Sequence, residues 1–505
     1  MIQKIALKYL DHRYREVDRF IANPTATQEK ILDYLLRNGE KTYIGQQYNF
    51  ASIKNKDDFR KQVPVFHYED LRPYLDKILK EHQQNVLWNK PVNWFAMSSG
   101  TTEDKSKYIP VTRESLTKGH FRCGEHMLAM YAQANRNAKF IFGKTLVLGG
   151  SKQINNIGDG IFTGDISAIL VKNVYLWTKM SRTPEKISLI PDWEAKLQAL
   201  TDYAVSHDVR AFMGVPSWLL VLLKKIKADT GRELTDIWPN LEVFFHGGVS
   251  FTPFVEQYEK LIQKSGMYYW ETYNASEGFF GVQFSDHSKD MLLMLDNYIY
   301  YEFIPMNEWD SDNPRALTLD EVKTGQNYAI VISTNGGLWR YMIGDTIEFT
   351  STDPYLFKIT GRTKSFINAF GEEIIVDNAE KALHEACKLT GAQVVEYTAA
   401  PVYFGDNNTG AHEWFIEFEK EPTNLNSFIK ALDEGLKKAN SDYEAKRSYN
   451  LSLGEPIVKV LPKGTFNEWL RSIGKLGGQN KVPRLSNNRD YIDKLTIFVN
   501  TLNRG

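Results

Sequence analysis

The sequence predicts a multi-domain α/β protein: a large N-terminal domain over residues 1–365, with β-sheets flanked by helices and a β-rich subdomain, and a smaller α+β domain over residues 366–505. Three observations carry this. From Asn93 onward, short apolar runs end in glycine-bearing turns and several lead into helical patterns, the strand-then-helix order of α/β folds. Between Tyr298 and Phe349 the chain is dense in aromatic and β-branched residues. After Gly361 the polar turn Gly361-Arg362-Thr363-Lys364 opens a last region of different texture, so the boundary falls near residues 361–371. At 505 residues the chain is also too long for one ordinary core.

Taken in order, the N-terminal stretch MIQKIALKYLDHRYREVDRF alternates charged and apolar residues, which predicts an amphipathic helix and lacks the unbroken apolar core of a secretory signal. Thr25 and Gln28 have the spacing of a capping box ahead of Ile31, Leu32, Leu35 and Leu36. Thr145 to Leu148 is a short buried-strand pattern. Val209 to Met213 reads as a strand, Gly214 as its turn, Pro216 as an early helix position leading into SWLLVLLKKIKADT, and Gly231 as the stop. Leu241 to Phe245 gives another strand, ending in His246, Gly247 and Gly248; Met267 to Thr272 gives a third, ending in Tyr273 to Gly278. Both deliver glycine-bearing turns at the carboxyl ends of strands, where open α/β sheets bind ligands, and Gly247 and Gly248 are nucleotide-site candidates on that ground. The runs Tyr298 to Phe303 and Tyr328 to Ser333 predict a smaller sheet or barrel. Ile374, Ile375 and Val376 precede a helix from about Asn378.

Bulk properties remove several function classes. A formal net charge of −1 offers no basic excess for DNA or RNA. Cys123 and Cys387 lie far apart, against a disulfide framework or a zinc ribbon and in keeping with a reducing, cytoplasmic setting. The most apolar run, Trp218 to Leu223, is about a third of the roughly 20 residues that cross a bilayer, so no membrane association is expected. No histidine pair has zinc-ligand spacing and no GxSxG elbow is present; a single histidine such as His246 reads as structural.

Several segments could carry chemistry. In Ser98-Ser99-Gly100-Thr101-Thr102, followed by Lys105, Lys107 and Pro110, small hydroxyl residues and a glycine would let the backbone cradle a polyphosphate while Lys107 offsets its charge; the alternative is a solvated loop. It is not a Walker loop, since the GxxxxGK[ST] spacing is absent. In Tyr273-Asn274-Ala275-Ser276-Glu277-Gly278 a lone carboxylate sits on a small-residue turn, placed either to hold Mg²⁺ against ATP phosphates or to sit in the first turn of a following helix. Trp339 to Asp345 is an aromatic strand ending in Gly-Asp, where Asp345 could accept both ribose hydroxyls or serve turn geometry alone. Arg362 offers a second nucleotide contact or a solvated interdomain turn, and Gly474 to Lys481 reads as a glycine-loosened basic loop.

In order and spacing these segments resemble the adenylate-forming superfamily of acyl-CoA synthetases, luciferases and peptide-synthetase adenylation domains. Within it, residues 90 to 490 look most like the plant auxin-responsive acyl-acid amido synthetases and their bacterial relatives, the Gretchen Hagen three family. SSGTT with Lys107-Tyr108-Ile109-Pro110 is similar to the family's phosphate motif, YNASEG to its adenine and metal motif, YMIGD to its ribose motif, and GQNKVPR to its C-terminal signature. The chain departs in Glu103-Asp104, where plant members usually carry a glycine, and in Met342-Ile343, where arginine and valine are more common. The resemblance implies ATP and Mg²⁺, a small-molecule carboxylic acid activated as acyl-AMP, and an amino acid as acceptor. It implies nucleotide contacts from Ser98, Ser99, Gly100, Thr101, Thr102, Tyr273, Ala275, Ser276, Asp345 and Arg362, with Lys107, Glu277 and Lys481 as the catalytic set and Glu277 as the metal ligand. It further implies that the small C-terminal domain swings about Arg362, withdrawing Lys481 from the phosphates before the amine attacks. An acyl-CoA ligase, with a thiol as acceptor, and a nucleotide-binding protein without turnover are the alternatives. Trp218 and Tyr131 permit an aryl or a fatty acid without choosing, and the oligomeric state is left open.

Overall fold

The structure is a computed structural model that describes the chain except at residues 1, 100–105, 150–153, 249–250, 252–253, 310, 312–313, 363–365, 373, 404–408, 448–452, 474–481 and 503–505; at some flanking positions it describes the backbone alone. The chain divides into two compact units. The first comprises Met1–Ser98, Tyr108–Phe251 and Val255–Thr363; the second comprises Lys364–Gly505 with Ser99–Lys107 and Thr252–Phe254.

Ten strands form the backbone of the first unit: β1 (Lys144–Leu148), β2 (Val209–Gly214), β3 (Val243–Gly247), β4 (Tyr268–Ala275), β5 (Gly278–Gln283), β6 (Met291–Leu293), β7 (Ile299–Pro305), β8 (Asn327–Thr334), β9 (Tyr341–Thr352) and β10 (Tyr355–Arg362), in the spatial order β7-β8-β9-β10-β6-β5-β4-β3-β2-β1. β1 to β4 run parallel. From β4 onward every pairing is antiparallel. The parallel half and the antiparallel half therefore share one sheet, joined at β4. The runs from Tyr298 to Ser333 are strands as expected, but they continue this sheet and do not close into a separate one, because β10 pairs with the short β6 and so carries the ladder across. A four-stranded sheet holds Trp94–Ser99, parallel to Ile161–Gly164, with Ser106–Val111 on its outer side.

Local sequence chemistry explains the helices. Pro216 opens the helix Pro216–Thr230, and Gly231 ends it at φ 63°, a left-handed cap that suits glycine. Its apolar face, Leu219, Leu220, Leu222, Leu223 and Ile226, is buried, so Trp218 to Leu223 belongs to an ordinary core helix. No helix among the described residues is long and apolar enough to cross a membrane. The N-terminal expectation of a helix is met by α1 (Ile2–Ala22). The capping box is not. α2 (Pro24–Gly39) starts with proline at its first turn after Asn23, which makes no side-chain cap, while Gln28 is buried and turned inward. Its amide donates to Leu295 O (2.9 Å) and Ile299 O (3.0 Å) and accepts from Tyr301 N (2.9 Å), fastening α2 to β7. Phe303, further along that strand, exchanges backbone bonds with Leu317. At the opposite margin of the sheet, Thr145 N donates to Ser181 O, Thr183 N to Thr145 O, and Val147 N to Thr183 Oγ1.

The second unit has a three-stranded sheet of β11 (Gln393–Val402), β12 (Ala411–Lys420) and β13 (Ile457–Leu461), antiparallel then parallel. The expected helix after Val376 is Val376–Thr390, stopped by left-handed Gly391. Phe415, Phe466, Trp469 and Leu495 are buried in the core of this unit.

Candidate active site

The carboxyl ends of β3 and β4 lie side by side, with Gly247 opposite Thr272. The approach is close enough to demand glycine: a Cβ on Gly247 would stand 2.8 Å from Thr272 Oγ1 and nearer still to the Thr272 carbonyl. Gly248 follows at φ +84°, a conformation that a side chain disfavours. Gly247→Ala is expected to cost about 1–3 kcal/mol through overpacking, read as a lowered unfolding midpoint.

β4 and β5 form a hairpin whose two-residue turn is Ser276-Glu277. No helix follows Glu277, so the helix-dipole explanation for a carboxylate at this position does not apply. Glu277 is half-buried at the turn. Just before it, the pairing register slips by one residue between Tyr273 and Asn274, where Phe280 is the extra residue on β5. Tyr273 is buried against Phe280, ring centroids 4.9 Å apart, and its hydroxyl donates to Asp345 Oδ2. That bond joins two motifs 72 residues apart in sequence. Asp345 follows Gly344, which has φ +93°, and lies opposite Arg362 across β9 and β10. Ala275 and Ser276 complete the hairpin tip, both half-buried.

The structure thus brings Gly247, Gly248, Tyr273, Ala275, Ser276, Glu277, Asp345 and the Arg362 backbone onto one sheet, with a direct side-chain link between Tyr273 and Asp345. Ser98 and Ser99 end their strand and Lys107 stands in the next one, half-buried. The side chains of Ser98, Ser99 and Arg362 lie outside the described residues, as do Gly100, Thr101, Thr102 and Lys481 entirely.

Two histidines flank these turns. His246, at the end of β3, is stacked on Phe251 at 4.2 Å, and burial, helped by the charge of Lys289, pushes its pKa down to about 3. It is a neutral packing residue, in line with its structural reading. Burial likewise raises the Glu271 carboxyl, against the pull of Lys289. His120 was not singled out by sequence and is better placed: its Nδ1 is 3.0 Å from Asn274 Oδ1. Its segment, Ser115–Phe121, is a π-helical turn leading into Arg122–Ala134. Nothing in TRESLTKGHFRCG announces that turn. Among the described residues no group of three or more His, Cys, Asp or Glu could hold a metal by itself. A lone carboxylate at a hairpin turn fits Mg²⁺ that arrives with phosphate oxygens, since this ion is usually held by one or two carboxylates plus substrate.

Solved structures share this architecture. The AtGH3.15 acyl acid amido synthetase in complex with 2,4-DB superposes with a TM-score of 0.62 at 18% identity, over 98% of this chain and 96% of that one. A 2-hydroxyisobutyryl-CoA ligase solved with 2-HIB-AMP and CoA gives 0.57 at 14%, over 95% and 93%. The fold is that of the adenylate-forming ligases. Family models narrow this: residues 13–267 match the GH3 family N-terminal domain, 292–362 its central domain and 377–490 its C-terminal domain. The chain belongs to the GH3 family. Similar sequences include the probable indole-3-acetic acid-amido synthetase GH3.1 of Arabidopsis thaliana, 24% identical over 95% of this chain and 92% of that protein. The jasmonoyl-L-amino acid synthetase JAR4 of Nicotiana attenuata is 25% identical over 90% of each.

Proposed function

We propose that this protein is an ATP-dependent acyl-acid amido synthetase that converts a carboxylic acid to its acyl-AMP and passes the acyl group to the amine of an amino acid. The observation that carries the reading is the Tyr273–Asp345 hydrogen bond, which joins the segments expected to meet adenine and ribose, beside a glycine turn at Gly247-Gly248 and a carboxylate turn at Glu277. The activities named for the family relatives support the amide product.

In the first half-reaction a carboxylate oxygen attacks the α-phosphorus of ATP and pyrophosphate leaves. Charge developing on the phosphoryl oxygens is met by the Ser98 to Thr102 segment, Lys107 and Lys481. Glu277 would hold Mg²⁺, which when bound neutralises phosphate charge. Asp345 accepts from the ribose hydroxyls, Tyr273 and the Ala275-Ser276 backbone border the base, and Arg362 supplies a further nucleotide contact. In the second half-reaction the amine nitrogen attacks the acyl carbonyl, the bond to AMP breaks, and the amine loses a proton. Residues 1–365 then act as the adenylating domain and residues 366–505 as the domain that carries Lys481 in and out. The wide separation of the two cysteines favours a cytoplasmic setting.

The test is pyrophosphate release across a panel of carboxylic acids crossed with amino acids, with products identified by mass. An acyl-amino acid is the expected product; a thioester formed only with coenzyme A would make the protein an acyl-CoA ligase, and ATP binding without pyrophosphate release would leave a nucleotide-binding protein without turnover. Lys481→Ala is expected to slow adenylation by about 10- to 100-fold while the reaction of preformed acyl-AMP with the amine stays within about threefold, measured by single-turnover kinetics of each half.

A further inference from the structure

Asn274 lies between Tyr273 and Ala275 in the hairpin motif, yet no role attaches to it from the sequence. Asn274 lies beside a register slip whose extra residue is Phe280 on the paired strand β5, and bulges are over-represented next to active sites. Its side-chain amide meets His120, with Nδ1 3.0 Å from Asn274 Oδ1. His120 is itself 5% exposed and stands on the π-helical turn Ser115–Phe121. Such turns are rare within helices and concentrate at functional sites. An imidazole this deeply enclosed, partnered by a neutral amide, stays uncharged; burial moves its pKa down to about 4.

We propose that His120 is a positioning residue of the acyl-activating site: its Nδ1–H donates to Asn274 Oδ1 and so turns the Asn274 amide N–H pair toward an oxygen of the bound carboxylic acid. This rests on the synthetase reading and deepens it by adding the side chain that meets the acid. The chemistry is one of inventory. An asparagine amide has one accepting oxygen and two donating hydrogens. With the oxygen engaged by an imidazole N–H, the amide offers donors, which match a carboxylate or an acyl carbonyl and do not match an ammonium group. The tautomer follows, with Nδ1 carrying the proton.

The experiment uses the full chain and the acid that gives the highest rate of pyrophosphate release. His120→Phe keeps the ring and its burial but removes the donor. His120→Asn places an amide N–H close to the lost Nδ1–H. Asn274→Asp keeps the acceptor for His120 but replaces the outward donors with an anionic oxygen. Expected results are a rise of about 10-fold or more in the KM for the acid with His120→Phe, a KM for ATP within about twofold of wild type, substantial recovery with His120→Asn, and a loss with Asn274→Asp at least as large as with His120→Phe. The double variant His120→Phe/Asn274→Ala should be no worse than Asn274→Ala alone.

The inference is overturned if His120→Phe leaves the acid KM unchanged or shifts acid and ATP together, if His120→Asn is as impaired as His120→Phe, or if the double variant shows the product of the two single losses. The Asn274 variants, at a half-buried strand end, decide the matter should His120→Phe fold poorly. Wild-type turnover with indifferent variants sinks this inference alone. A wild type that releases no pyrophosphate with any acid sinks the synthetase reading and this inference with it.

Discussion

Replacing Glu277 with alanine is expected to lower acid-dependent pyrophosphate release by about 100- to 1000-fold, the range seen when one preorganised charge-stabilising group is removed from an active site. The hairpin should survive, because Ser276-Glu277 is a turn whose flanking strands pair through backbone groups and whose side chain lies half in solvent. Glu277→Gln sharpens the test: shape and length are kept, the charge is lost, and the apparent Mg²⁺ requirement should rise along with the fall in rate. Normal pyrophosphate release by either variant would overturn the proposed metal role of Glu277. The hairpin geometry gives the prediction its force, since a carboxylate at the start of a helix would have had a sufficient structural reason to be there.

The second large effect is on stability. Arg340 and Glu302 form a bidentate ion pair, Nε to Oε2 at 2.8 Å and Nη2 to Oε1 at 2.9 Å, with side chains 5% and 1% exposed. Arg340 Nη1 also donates to the carbonyls of Arg60 (3.0 Å) and Val63, and Arg340 N donates to Ser333 Oγ (2.8 Å). All this holds a non-glycine residue at φ +40°, a conformation that persists only where its surroundings impose it. Arg340→Ala strands a buried carboxylate and the two backbone carbonyls of Arg60 and Val63, and should cost about 3–5 kcal/mol, read as a lowered denaturant midpoint for the transition of the first unit. The paired change Arg340→Met with Glu302→Leu should recover most of that loss, because the desolvation cost of the two charges goes with them. A loss below about 1 kcal/mol in the single variant would place the pair in the solvent-screened class. Because Arg340 immediately precedes β9, which carries the proposed ribose contact Asp345, the single variant should also weaken ATP binding before it unfolds.

Elements with strong local punctuation were legible in the sequence. The Val209–Gly214 strand, the Pro216 helix start and the Gly231 stop needed only periodicity, proline and glycine. The segments around Tyr273 and Asp345 were legible as strand ends, and the direct bond between them is what the structure adds. Less visible was anything set by distant pairing. The Ser276-Glu277 turn looks the same in one dimension whether a helix or an antiparallel strand follows. The continuity of the ten-stranded sheet depends on β6, only three residues long, lying between β5 and β10. Gln28 had the spacing of a capping residue, but burial against β7 outweighed a local cap. His120 lies 154 residues from Asn274, and a π-turn has no sequence signature comparable to a capping box.

A sheet this wide has two outer strands, and each exposes a row of backbone donors and acceptors unless something occupies it. Along β7 the outward groups of Ile299 and Tyr301 are taken by the Gln28 amide and those of Phe303 by Leu317; along β1 those of Thr145 and Val147 are taken by residues 181–183. The groups at both margins of the ten-stranded sheet that would template an added strand are thereby engaged from within the chain, so lengthening this sheet with a strand from a second copy would first require those contacts to be broken.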